Sequence, residues 1–139
     1  MQVTARLTLL LAAVGAVLDM AVCAPQSAPR KPRPVEVWRV GDDGLTSKLT
    51  DTLEAALGSS QDFALSSGKK PGTLVVTIPN HVRWKTASGG RPRVIYTVEF
   101  SSVDAQVIGR ANGTCWDDSL LTCAAQIIKD AKVAARKMH

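Results

Sequence analysis

From Val35 to Val40 apolar and polar residues alternate: Val35 and Val37 fall on one side, Glu36, Trp38 and Val40 on the other. That period of two predicts a strand. Gly41-Asp42-Asp43-Gly44 then offers a turn with helix N-cap candidates. Leu45, Leu49, Leu53, Ala56 and Leu57 follow at helical spacing, with Gly58 where a terminating glycine would stand. Phe63-Ala64-Leu65 reads as a short strand, closed by the polar stretch Ser66–Gly72. Thr73–Ile78 is rich in β-branched residues, and the pattern can be continued to Trp84 if Pro79 marks a bulge or an edge. Thr86–Pro92 is a polar hairpin loop. Val94, Tyr96, Val98 and Phe100 then alternate with polar residues, the signature of a half-buried antiparallel strand. Asp104-Ala105 turns the chain and Val107–Ala111 makes a last strand. Leu120, Ala124, Ile127, Ile128, Ala131 and Ala134 mark a final amphipathic helix, with Asp117, Asp118 and Ser119 before it as cap residue types.

The order is β-α-β-β-β-β-α. Meandering strands with two one-striped helices predict an α+β fold, an antiparallel or mixed sheet with both helices on one face. A chain of 139 residues permits one domain and excludes a multi-domain enzyme.

The start is patterned differently. Arg6 precedes Leu7–Leu18, a run without charge or proline, which Asp19 closes. A cationic start, an apolar run and then small residues form a secretory leader, and the run is shorter than the about 20 residues that span a bilayer. Residues 1–24 are therefore read as a signal peptide cleaved after Ala24. A second route is open: Met20-Ala21-Val22-Cys23 resembles a bacterial lipoprotein box, in which Cys23 would be lipidated. Either route predicts an exported protein, periplasmic or anchored at the outer membrane. Residues 25–34 hold four prolines and three basic residues and read as an extended tether. Residues 35–139 remain as the single α+β domain.

Export changes the reading of the cysteines. Cys23 is removed or lipidated, and Cys115 and Cys123 remain as a pair, which an oxidising compartment joins in a disulfide. Closing so short a loop contributes about 2–3 kcal/mol.

The first strand, the Leu45-Leu49-Leu53-Leu57 helix, Phe63-x-Leu65, and the Tyr96-x-Val98-x-Phe100 strand leading to Asp104 and Val107-Ile108-Gly109 together resemble a known layout. It is that of the small cell-envelope domain of the TolB amino-terminal region and of LpoB- and CsgG-type lipoproteins, over residues 35–137. The resemblance implies an envelope adaptor that binds other proteins and is not an enzyme. It carries over no site residue.

Candidate chemistry is sparse. A small exported hydrolase would need His81, since the other histidine is the last residue, and no Gly-x-Ser-x-Gly elbow frames a serine. A surface histidine is the simpler reading. Cys115, Cys123 and His81 do not have the spacing of a structural zinc site, and no cofactor motif occurs. The formal net charge of +5 sits largely in the tether, the hairpin and the final helix. Arg83, Trp84, Lys85, Arg91 and Arg93 surround the hairpin loop, and with Lys69 and Lys70 they form a candidate patch for an anionic partner. Lipid headgroups, lipopolysaccharide or peptidoglycan fit such a patch, whereas export argues against nucleic acid. The same charges would also discourage edge-to-edge aggregation. Asn112-Gly113-Thr114 is formally a glycosylation sequon and equally an ordinary turn before a helix. The expected function is that of a non-enzymatic binding or adaptor module with an envelope protein as partner.

Overall fold

The computed structural model describes residues 28–139. The leader, its cleavage position and Cys23 lie outside the described residues. In chain order the elements are β1 (Arg33–Arg39), α1 (Gly44–Gly58), β2 (Phe63–Leu65), β3 (Leu74–Ile78), β4 (Arg83–Thr86), β5 (Pro92–Ser102), β6 (Val107–Trp116) and α2 (Leu120–Ala135). Two helices and one mixed six-stranded sheet make the α+β fold the sequence predicts. β1 pairs in parallel with β2 and β3; β5 pairs antiparallel with β3, β4 and β6.

Burial follows the alternation. Val35, Leu74, Val76, Ile78, Val94, Tyr96, Val98 and Phe100 all join the inward side chains of α1 and α2 in one core cluster. Leu49, Leu53 and Leu57 of α1 and Ile127 of α2 are fully buried against them. Among the described residues no helix covers the opposite face of the sheet.

Four local expectations change. Pro79 ends β3, because it has no N–H to give the ladder. The chain loops out over Pro79–Val82 and re-forms a separate strand, β4. β3 pairs with Thr77–Leu74 against Glu99–Ser102, and β4 pairs with Arg83–Thr86 against Ile95–Pro92. β6 overlaps both stretches of β5, so β3 and β4 lie end to end along the other edge. Second, β6 does not stop at Ala111. It runs through Asn112 and Gly113 to Trp116, because pairing with β5 outweighs the local turn preference of Asn-Gly. Third, Asp117–Ser119 form a short 3-10 turn and cap α2 with no side-chain hydrogen bond. Fourth, Gly58 is the last residue of α1, and the cap residue Ser59 keeps a right-handed backbone (φ −90°). The N-cap of α1 is Asp43, whose carboxylate accepts from the Leu45 and Thr46 N–H groups.

Candidate functional site

The register places the hairpin residues on known sides of the sheet, since directly paired residues share a face. On the helix-free face Lys85, Arg93 and Trp116 form one row, and Arg83, Ile95 and Thr114 the next. Farther along β5 come Thr97 with Asn112, then Trp38, Thr77, Glu99 and Arg110. Trp116 is the centre of the basic end. The Arg91 guanidinium lies 4.4 Å and that of Arg93 5.0 Å from its ring centroid, both within cation–π range. Arg91 also donates to both carboxylate oxygens of Asp118 at 2.9 and 2.8 Å. That bond holds the Asp118 carboxyl below its ordinary range. Arg93 donates to the Thr114 hydroxyl at 2.9 Å. At the far end of the face Glu99 is tied to Arg110 at 2.8 Å, which leaves its charge balanced.

The seven residues of the sequence-predicted patch therefore divide. Arg83, Lys85, Arg91 and Arg93 come together on one face. Trp84 stands opposite Val94, on the helix side of β4, and is half exposed. Lys69 and Lys70 lead into β3, which meets the other end of β5 at Ser102. Eleven residues of β5 separate them from the hairpin tip, roughly 30 Å at strand spacing. Trp116 is the member the sequence reading missed. Its signal was period two, Thr114 and Trp116 alternating with Cys115, hidden by reading Asn112-Gly113 as a turn.

Cys115 and Cys123 are joined, with Cα atoms 5.5 Å apart. The bridge ties the end of β6 to the first turn of α2, beside the Trp116 row. With both sulfurs in the bridge, neither is a free thiolate for metal or redox chemistry.

His81 lies in the Pro79–Val82 link. Its Nδ1 is 2.5 Å from Asp43 Oδ2. The same carboxylate accepts from the Thr46 hydroxyl at 2.6 Å, and Thr46 Oγ1 accepts from the Val82 N–H at 2.9 Å. These bonds, the Thr46 hydroxyl first and His81 next, push the Asp43 carboxyl far below its usual range. A groove of about 560 Å³ opens beside this network, lined among others by Val40, Pro79, Arg83 and Thr97. The Thr97 hydroxyl already donates to Asn112 Oδ1 at 2.8 Å. The His81–Asp43 pair thus serves to pin the β3–β4 link onto the N-terminus of α1.

The network has an acid signature. Asp43 is more acidic folded than unfolded, so its contribution is present above the unfolded carboxylate pKa of about 3.9 and is lost as pH falls below it. The melting temperature of the wild type is expected to drop between pH 5 and pH 2. Asp43→Asn should start lower at neutral pH and fall less over that window. Parallel curves in a thermal melt series would show that Asp43 is not the group responsible.

Among the described residues no helix is long and apolar enough to cross a membrane. No family model matches the chain, and no curated protein matches its sequence. Among solved structures it is similar to a minor lipoprotein from Acinetobacter baumannii, with 12% identity over 76% of this chain and 94% of that chain and a TM-score of 0.44. It is also similar to the PelC dodecamer from Paraburkholderia phytofirmans in two crystal forms. One matches at 22% identity over 81% of this chain and 93% of that chain, the other at 23% over 76% and 88%, each with a TM-score of 0.42. No residue role is carried across at this level of likeness.

Proposed function

We propose that the chain is an exported, non-enzymatic binding module of the bacterial cell envelope that receives an anionic partner on the helix-free face of its sheet. The observation that carries this reading is the Arg83–Lys85–Arg93 cluster around Trp116. Three cations on adjacent strands flank an aromatic whose ring two guanidiniums already orient. Asp118 balances Arg91, and Glu99 is neutralised by Arg110, so a partner meets a net positive end. The leader and the Cys115–Cys123 bridge support export, because such bridges persist in oxidising compartments. The resemblance to envelope adaptors agrees with a binding role.

The test uses three defined probes in separate arms: a glutamate-rich peptide, lipopolysaccharide and peptidoglycan sacculi. The purified chain is expected to bind at least one at low salt and to lose affinity steeply above physiological ionic strength, where exposed charges are screened within about 8 Å. Arg83→Gln/Lys85→Gln/Arg93→Gln should weaken that binding at least tenfold. Salt-insensitive binding, or binding unchanged in the triple variant, would reject this surface as the site.

A further inference from the structure

Cations from the tether, from the loop before β3 and from the end of α2 gather at the other pole of the molecule. Arg30 and Lys31 lead into β1, and Arg33 opens it. A shallow groove of about 240 Å³ is lined by these three residues together with Lys132 and Arg136 from the end of α2. Arg33 also lines a second groove of about 870 Å³, shared with Lys69 from the loop before β3 and Lys137 beyond α2. The two grooves are therefore one surface. Lys132 is paired with Asp62 at 2.6 Å. Among the described residues Arg30, Lys31, Arg33, Lys69, Arg136 and Lys137 form no ion pair with an acidic side chain, and Asp104 is the other side-chain carboxylate of the grooves. Counting side chains alone, seven cations against two carboxylates give this pole +5, equal to the formal net charge of the whole chain.

The negative end of the α2 dipole accounts for cations within the last turn and just beyond it, Lys132, Arg136 and Lys137. It does not account for Arg30, Lys31, Arg33 and Lys69, which arrive from two other parts of the chain. What these four share is the place where the tether enters the fold. Arg30 follows Cys23 by seven residues of proline-rich chain, a reach of about 20 Å even when fully extended as polyproline helix. We propose that this pole docks on an anionic phospholipid bilayer, leaving the Trp116 end of the sheet pointing away from it. The proposal rests on the export reading but uses a surface distinct from that of the anionic partner. A bilayer is a flat, laterally mobile array of phosphates. It suits a broad set of unpaired Lys and Arg side chains with no enclosed pocket, and each such residue near an anionic surface strengthens partition roughly fivefold.

Co-sedimentation of the full chain with vesicles tests the proposal. One set contains 30% phosphatidylglycerol (about that fraction) in phosphatidylcholine, the other phosphatidylcholine alone, so that any pull from the apolar leader is common to both. The wild type is expected to favour the anionic vesicles, less so as salt rises. Lys69→Gln/Arg136→Gln/Lys137→Gln, all at exposed positions, should lose about a hundredfold of that preference. Lys69→Arg/Arg136→Lys/Lys137→Arg should retain it, which separates charge from folding. Arg83→Gln/Lys85→Gln/Arg93→Gln should retain it too. Equal partition onto both vesicle types would overturn the proposal. So would an equal loss in the hairpin variant, which would reduce the effect to total charge. Loss of glutamate-rich peptide binding in the Lys69/Arg136/Lys137 variant with vesicle binding intact would also overturn it, in favour of an acidic protein at this pole.

Discussion

Replacing Cys115 and Cys123 together by alanine is expected to remove about 2–3 kcal/mol of stability, as estimated from closure of a loop with a sequence separation of 8. For a domain of this size that is a fall in melting temperature of about 10 °C or more. Adding reductant to the wild type should bring its melting curve onto that of the variant. The loss should also be local. The 3-10 turn at Asp117–Ser119 and the start of α2 have no side-chain cap, so their orphan N–H groups are held in place by the turn geometry and the bridge. Hydrogen exchange should accelerate first at Leu121–Ala124, while the α2 residues around Ile127 and Ala131, buried in the core, keep their protection. Trp116 and the Asp118–Arg91 pair adjoin the same bridge. Reduction should therefore weaken binding at the helix-free face more than binding to vesicles at the opposite pole. A melting shift under about 3 °C would mean that packing alone fixes α2 on β6.

What was legible in the chain was whatever burial writes as a period. The alternation at Val94–Phe100 and the leucine spacing of α1 mark side chains that all end in one core, and the element order follows from them. Short-range chemistry was legible where a single residue decides it: Asp43 among the N-cap candidates, and Asp104-Ala105 as the turn into β6. Features decided by partners distant in sequence were not. Asn112-Gly113 prefers a turn locally, and only the facing Thr97 and Tyr96 make it strand. Lys69 and Lys70 are near Arg83 in sequence but lie beyond the other end of β5, because β3 and β4 succeed one another along it. Arg33, Lys69 and Lys137 meet through the sheet and the closing helix, which no local pattern announces.

Gly113 should be the least replaceable position of β6, although it looks in sequence like a loop glycine. It pairs directly with Tyr96, whose ring lies across it. A Cβ built at Gly113 would stand 2.1 Å from Tyr96 Oη, 2.4 Å from Cζ and 2.8 Å from Cε1. The ring is almost wholly buried within the core cluster, so it has little room to withdraw. Gly113→Ala is expected to cost about 3 kcal/mol, the upper part of the range for overpacking a filled core. Gly109 supplies the control within the same strand. A Cβ there meets nothing within 4 Å, and Gly109→Ala should be neutral or mildly stabilising, since it reduces the freedom of the unfolded chain. Tyr96→Phe separates ring from hydroxyl. Among the described residues the hydroxyl is buried without a hydrogen-bond partner, so its removal alone should change stability little. It should not rescue Gly113→Ala, because the ring carbons already clash. Tyr96→Ala should, at the price of its own cavity: in a double-mutant cycle the two substitutions are expected to couple by about 2 kcal/mol in the compensating direction. Additive losses would show that Gly113 is needed for its backbone and not for the ring that crosses it.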